Sequence, residues 1–153
     1  MEEEVYTNRR TKIKIKKLYL IVKTTLKKSG FLYSKVMNQI NLPFEIGQEY
    51  EDLEFDLEVM EEEKIQGFDS YIYLGEIYFL DVIPKYTELI FSLDILQIVI
   101  MVFEFNSLAE QIQFKQKISQ NFKETEHLLK QSSDEFRVEV SYGNSKYLDK
   151  IYR

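Results

Sequence analysis

His127 is the only histidine in this 153-residue chain, and it lies between Glu126 and Leu128 in a stretch that reads as helix. A lone imidazole in that setting reads as a surface residue, not a ligand or a base. Cysteine is absent, which excludes a thiolate nucleophile, a disulfide framework and any Cys-based metal site. A zinc site would have to be built from carboxylates, a poor set for that ion. The five glycines are scattered singly and make no phosphate-cradling loop. Carboxylates number 26, and two of them could meet as an acid–base pair. However, ten of them fall in residues 45–63, where they read as an exposed strand face and a turn. The expectation is a binding protein, without catalytic residues, metal or cofactor.

Charge is divided sharply along the chain. Residues 5–44 contain ten Lys or Arg and no Asp or Glu, while residues 45–63 contain ten Asp or Glu and no Lys or Arg. Opposite blocks of this size fit partner surfaces of opposite sign, strands that neutralise each other, or a solvated face on each segment. The N-terminus, MEEEVYTNRR, lacks the apolar segment of a secretory signal. The most apolar run, Ile95 to Phe103, is nine residues long and includes Gln97, whereas a membrane helix needs ~20 apolar residues. No membrane partner is expected.

The elements that would position a binding surface are mainly β. Apolar residues make up 44% of the chain, with eleven Phe, eleven Tyr and no Trp, a balance that favours strands. Residues 12–26 read as a long first strand. Ile13 and Ile15 fall on odd positions and Leu18, Leu20 and Val22 on even ones, which a bulge at Lys16–Lys17 would produce. Long, bent first strands are how small closed barrels turn a corner. Helix is the competing reading, because Leu18, Ile21, Val22, Thr25 and Leu26 also repeat at helical spacing. After a turn at Lys28-Ser29-Gly30, a second strand is expected over 31–37. Leu53, Phe55, Leu57 and Val59 alternate with Glu54, Asp56 and Glu58 in a third, whose outer face is acidic. Residues 71–79 form a fourth with Gly75 inside it, and 89–103 a long fifth.

Ser107-Leu108-Ala109-Glu110 is a capping box, and the helix it opens could run to about Lys130. Phe114, Ile118, Leu129, Phe122, Leu108 and Ile112 fall on one stripe about 160° wide. Such a rod, ~30 Å long, exceeds what a small barrel needs to seal its end. The stripe is therefore expected to bind a partner as well. Leu108 and Ile112 at one edge and Phe114 and Ile118 at the other can divide the work, and Ile118→Glu or Phe122→Glu would then abolish partner binding without unfolding the barrel. Residues 136–142 read as a short terminal strand, and Gly143-Asn144 as the start of a loose tail.

The segment Ser70-Tyr71-Ile72-Tyr73-Leu74-Gly75-Glu76-Ile77 resembles the fourth strand of the smallest subunit of the CST telomere complex. In that family the strand leads into a long fifth strand and a C-terminal helix, matched here by Leu89 to Phe103 and the helix from Ser107. The likeness covers about residues 70–122. The smallest subunit of replication protein A has a related architecture. The resemblance implies a single five-stranded oligonucleotide/oligosaccharide-binding (OB) barrel over 12–130, with extensions at 1–11 and 131–153. It also implies a larger OB-fold partner on the helix and a nuclear, telomeric role beside telomerase or polymerase α-primase.

Single strands usually cross strands two and three of such a barrel. Glu54, Asp56 and Glu58 there would repel phosphates, so weak or no single-stranded DNA binding by the chain alone is expected. Lys12, Lys14, Lys16, Lys85 and Tyr86 are the residues left for any nucleic-acid contact. The alternative is a pleckstrin-homology-like domain. Residues 27–35, KKSGFLYSK, resemble its first hairpin, where lysines hold an inositol phosphate, although the C-terminal helix lacks the tryptophan common in that fold.

Overall fold

The apolar run that is too short for a membrane becomes the middle of a sheet. In the computed structural model, which describes residues 20–22, 24, 41–122 and 129–152, Ile95–Glu104 is a strand whose first nine residues are buried on both faces. It pairs antiparallel with Tyr86–Ser92 through a two-residue turn at Leu93 and Asp94. Both turn residues have positive φ, 50° and 62°, as a type I′ hairpin requires. The single long strand expected over 89–103 is therefore two strands. The usual Asn-Gly marker of this turn is missing, and leucine carries no such signal. Leu80 and Asp81 repeat the device, with φ of 51° and 65°, between the bridged residues Phe79 and Val82. The strand expected over 71–79 stops at Tyr73.

We number the strands β1 (Leu57–Val59), β2 (Asp69–Tyr73), β3 (Tyr86–Ser92), β4 (Ile95–Glu104), β5 (Leu129–Asp134) and β6 (Arg137–Gly143). They form one antiparallel sheet in the order β1-β2-β3-β4-β6-β5. The architecture is mainly β, as expected, but it is a six-stranded open sheet and not a closed five-stranded OB barrel. Closure would join the two edges, and among the described residues no strand pairs with the outer side of β1 or β5.

The acidic strand expected over 53–60 shrinks to β1. Before it the chain makes two 3₁₀ turns, Tyr50–Asp52 and Glu54–Asp56, and these turn Phe55 out to solvent. Of the basic first strand only residues 20–22 and 24 are described. They are helical, and the Thr24 hydroxyl donates to the Leu20 carbonyl at 2.7 Å, the four-residue back-bond of a helix. At those positions the helical spacing prevails over the alternating one. The second strand at 31–37, the first-hairpin likeness at 27–35, Lys12, Lys14, Lys16 and His127 lie outside the described residues.

Both faces of the central strands need cover. On one, Leu89, Val99, Met101, Phe103, Val138, Val140 and Tyr142 meet Phe44, Ile46, Phe79 and helix α1 (Leu108–Asn121). The Tyr142 hydroxyl accepts from the Phe44 amide at 3.0 Å and donates to its carbonyl at 3.1 Å, which ties this cover to β6. On the other face Ile90, Ile98, Ile100 and Val102 lie under Ile65, Phe68 and Leu148.

Leu148 belongs to a second helix, α2 (Ser145–Ile151), where the sequence suggested a loose tail. Asn144 caps α2 by accepting from the Lys146 amide at 3.2 Å. Gly143 is required before it. A Cβ there would stand 2.3 Å from the Gln97 carbonyl oxygen, and φ is 151°. The Asn144 amide then bonds that same carbonyl at 2.9 Å.

Leu93 holds a left-handed conformation that costs a non-glycine residue about 1 kcal/mol. Leu93→Asn, which tolerates that region, is expected to stabilise the protein by about 0.5–1 kcal/mol, read as a higher melting temperature in thermal denaturation.

Candidate partner-binding surface

Helix α1 begins where the capping box places it. Ser107 Oγ accepts from the Glu110 amide at 3.3 Å, and Glu110 Oε2 accepts from the Asn106 amide at 3.1 Å. The carboxylate thus reaches one residue further back than the usual reciprocal cap. The helix ends at Asn121, short of the expected Lys130. Ser119 Oγ and Asn121 Nδ2 bond carbonyls four residues earlier, at 3.1 and 2.8 Å, a local competition that weakens a last turn. Leu129 accordingly lies in β5 and not on the helical stripe.

The rest of the stripe is divided. Phe114, Ile118 and Phe122 are 3, 3 and 4% exposed, whereas Leu108 and Ile112 are 59 and 47% exposed. Phe114 lies 4.6 Å from the ring centre of Phe103, and Phe122 stacks on Phe79 at 5.4 Å. These aromatic side chains seal the sheet. A glutamate at Ile118 or Phe122 would be driven into that core, so the expected binding effect of such substitutions would be inseparable from unfolding. Leu108 and Ile112, one turn apart, form an apolar ridge facing away from it.

What holds the ridge in place was not legible in sequence. Gln111 is buried, and its Nε2 donates to the Asp134 carbonyl at 2.7 Å and to the Arg137 carbonyl at 3.1 Å. It thereby fastens α1 to the β5–β6 turn. One helical turn on, Lys115 Nζ donates to Ser133 Oγ at 3.0 Å. Between α1 and β5 runs an open groove of about 660 Å³, lined by Ile112, Lys115, Gln116, Ser119, Gln120 and Gln131. On the opposite flank a hollow of about 320 Å³ separates Val82 and Phe105 from Glu110, Gln113 and Lys117. The helix therefore presents an apolar ridge beside a trough rich in amide side chains, a shape suited to another polypeptide.

The described residues proposed for nucleic-acid contact are engaged elsewhere. Lys85 Nζ pairs with Glu104 Oε1 at 2.6 Å, and the Tyr86 hydroxyl accepts from Arg137 at 3.1 Å. Lys85 immediately precedes β3 and Tyr86 opens it, the first beside a carboxylate and the second beside a guanidinium.

The other face of the sheet carries the one fully buried carboxylate among the described residues, Glu88. Lys64 Nζ approaches its Oε2 at 2.6 Å from the partly exposed rim. Nearby, the Tyr152 hydroxyl donates to Glu139 Oε1 at 2.7 Å and shares a 2.6 Å contact with Ser141 Oγ. Burial, then the bond and charge of Glu139 and the charge of Glu88, hold the Tyr152 phenol well above the usual tyrosine range, against a lowering by Ser141. Glu88 and Ser141 are fully buried, and Tyr152, which follows α2, reaches Ser141 and Glu139 from the surface and so ties the end of α2 to the sheet.

Comparison with protein-family models, with curated proteins and with solved structures gave no match.

Phe114→Ala is expected to cost about 3–5 kcal/mol, whereas Ile112→Ala should change stability by less than about 1 kcal/mol, both measured by denaturant unfolding. A second expectation concerns alkali. The folded Tyr152 phenol keeps its proton above the unfolded value near 10, so its contribution is full below that pH and falls as pH rises beyond it. The stability gap between wild type and Tyr152→Phe should therefore narrow above pH about 10.

Proposed function

We propose that the chain is a non-enzymatic adaptor that binds a larger protein through the exposed edge of α1 and the adjoining groove along β5. The observation that carries this reading is the division of one helical stripe. Phe114, Ile118 and Phe122 are consumed by the core, while Leu108 and Ile112 remain in water beside a groove. A helix that only sealed the sheet would gain nothing from two large aliphatic side chains on its outer edge.

In its narrower form the proposal makes the chain the small subunit of a CST-like assembly, in the nucleus, beside a larger OB-fold subunit at telomere ends. Support for that form is the sequence likeness over 70–122, since the open sheet lacks the closed barrel that the likeness implied. The pleckstrin-homology-like alternative rests on residues 27–35, outside the described part of the chain.

Affinity purification of the tagged chain from its native cell tests both forms. Wild type is expected to retain a protein partner, and Leu108→Glu with Ile112→Glu is expected to lose it while keeping the circular dichroism and melting temperature of wild type. Unchanged recovery of the partner by that folded double variant would refute the surface. A partner set without OB-fold or telomere-end proteins would refute the narrower form alone.

A further inference from the structure

The opposite end of the sheet carries a second surface, independent of α1. Phe55, in the turn before β1, Val59, which ends β1, and Leu74, just past β2, are 92, 70 and 60% exposed. The Leu74 amide bonds the Asp56 carbonyl at 2.8 Å, which sets Leu74 against the residue that follows Phe55. Around them Glu51, Asp52, Glu54, Asp56 and Glu58 are exposed, and among the described residues no cation pairs with any of the five.

The register defines what the edge offers. Leu57, Glu58 and Val59 face Tyr73, Ile72 and Tyr71 of β2, and the Asp56 carbonyl and Met60 amide are both turned to β2. By the alternation of an antiparallel ladder, the amides and carbonyls of Leu57 and Val59 point the other way, to the open edge. Short strands and charge are also how sheet edges are guarded against their own copies. Guarding calls for charge alone, however, and not for a phenylalanine and two aliphatic side chains standing in water among the carboxylates. Like charge rejects a second copy of this edge, and it equally rejects nucleic acid or an anionic membrane. What it admits is an extended segment bearing lysine or arginine.

We propose that the β1 edge is a docking site for an extended, Lys/Arg-bearing segment of a partner protein, added to the sheet as a further strand. Its main chain pairs with Leu57 and Val59. Its apolar side chains cover Val59 on one face, and its cations meet Asp56 and Glu58 on the other.

The test is fluorescence anisotropy of the intact chain with a labelled synthetic peptide that alternates lysine and isoleucine, against a peptide in which glutamate replaces lysine. The lysine peptide is expected to bind, and to weaken about tenfold when salt is raised from about 0.1 to 1 M. Val59→Pro removes an outward amide without touching the pairing to β2, and Glu54→Lys with Glu58→Lys reverses the rim. Each is expected to weaken binding about tenfold or more while the fold is retained by circular dichroism. Failure of the peptide to bind, or equal binding by both variants, overturns the proposal. Binding that emerges only after Lys12, Lys14 and Lys16 are changed to serine would assign the edge to the chain's own basic block, and would overturn it too.

Discussion

A strand with nine consecutive buried residues cannot leave either face of its sheet in water, and the rest of this fold answers that constraint. From Ile95 to Phe103 both faces of β4 are apolar, apart from the fully enclosed Gln97. Each such side chain contributes ~1.5–3 kcal/mol only if something covers it. One face is covered by α1 and the segment around Phe44, the other by α2, Ile65 and Phe68. A one-sided sheet closed on itself as a barrel, with a helix at its end, would bury one face of this strand and leave Ile98, Ile100 and Val102 exposed. The open, doubly covered sheet follows from the composition of β4.

The same demand explains the division of labour on α1. The helix must supply large side chains at Phe114, Ile118 and Phe122 to fill the space over Phe79 and Phe103, and it is held at a set distance from β5 by Gln111. Its outer edge is released from that task. Leu108 and Ile112 can then be spent on a partner without cost to the core. The acidic β1 edge is the complementary case at the far end of the sheet, where the central strands are already satisfied and a three-residue strand has apolar neighbours in water.

Some of this was legible in the residues. The capping box at Ser107 marks the start of α1, the alternation over 136–142 marks β6, and the apolar run marks β4. The helical stripe picked out the apolar side chains Leu108, Ile112, Phe114, Ile118 and Phe122, although spacing could not say which fill the core, and it missed the buried Gln111. Other elements left no readable trace. Leu93-Asp94 and Leu80-Asp81 are tight turns made by a residue type that avoids left-handed φ, so tertiary pairing overrides local preference there. β5 has the sequence LKQSSD, polar and poor in β-branched residues, and exists because β6 offers it a ladder. The alternation over 53–60 has the right period for a strand, but 3₁₀ turns intervene and only three residues pair. Glu88, which no sequence pattern singled out, is enclosed with Lys64 at its rim.

In the proposed function the outer edge of α1 and the flank of β5 form the partner surface, while the inner edge of α1 is core. Amide hydrogen–deuterium exchange, on the chain alone and bound to the partner it retains from its native cell, tests this directly. Binding is expected to slow exchange across residues 108–120 and 131–134, with β3 and β4 already protected in the free chain. Protection gained only elsewhere, with 108–120 unchanged in the complex, would contradict it.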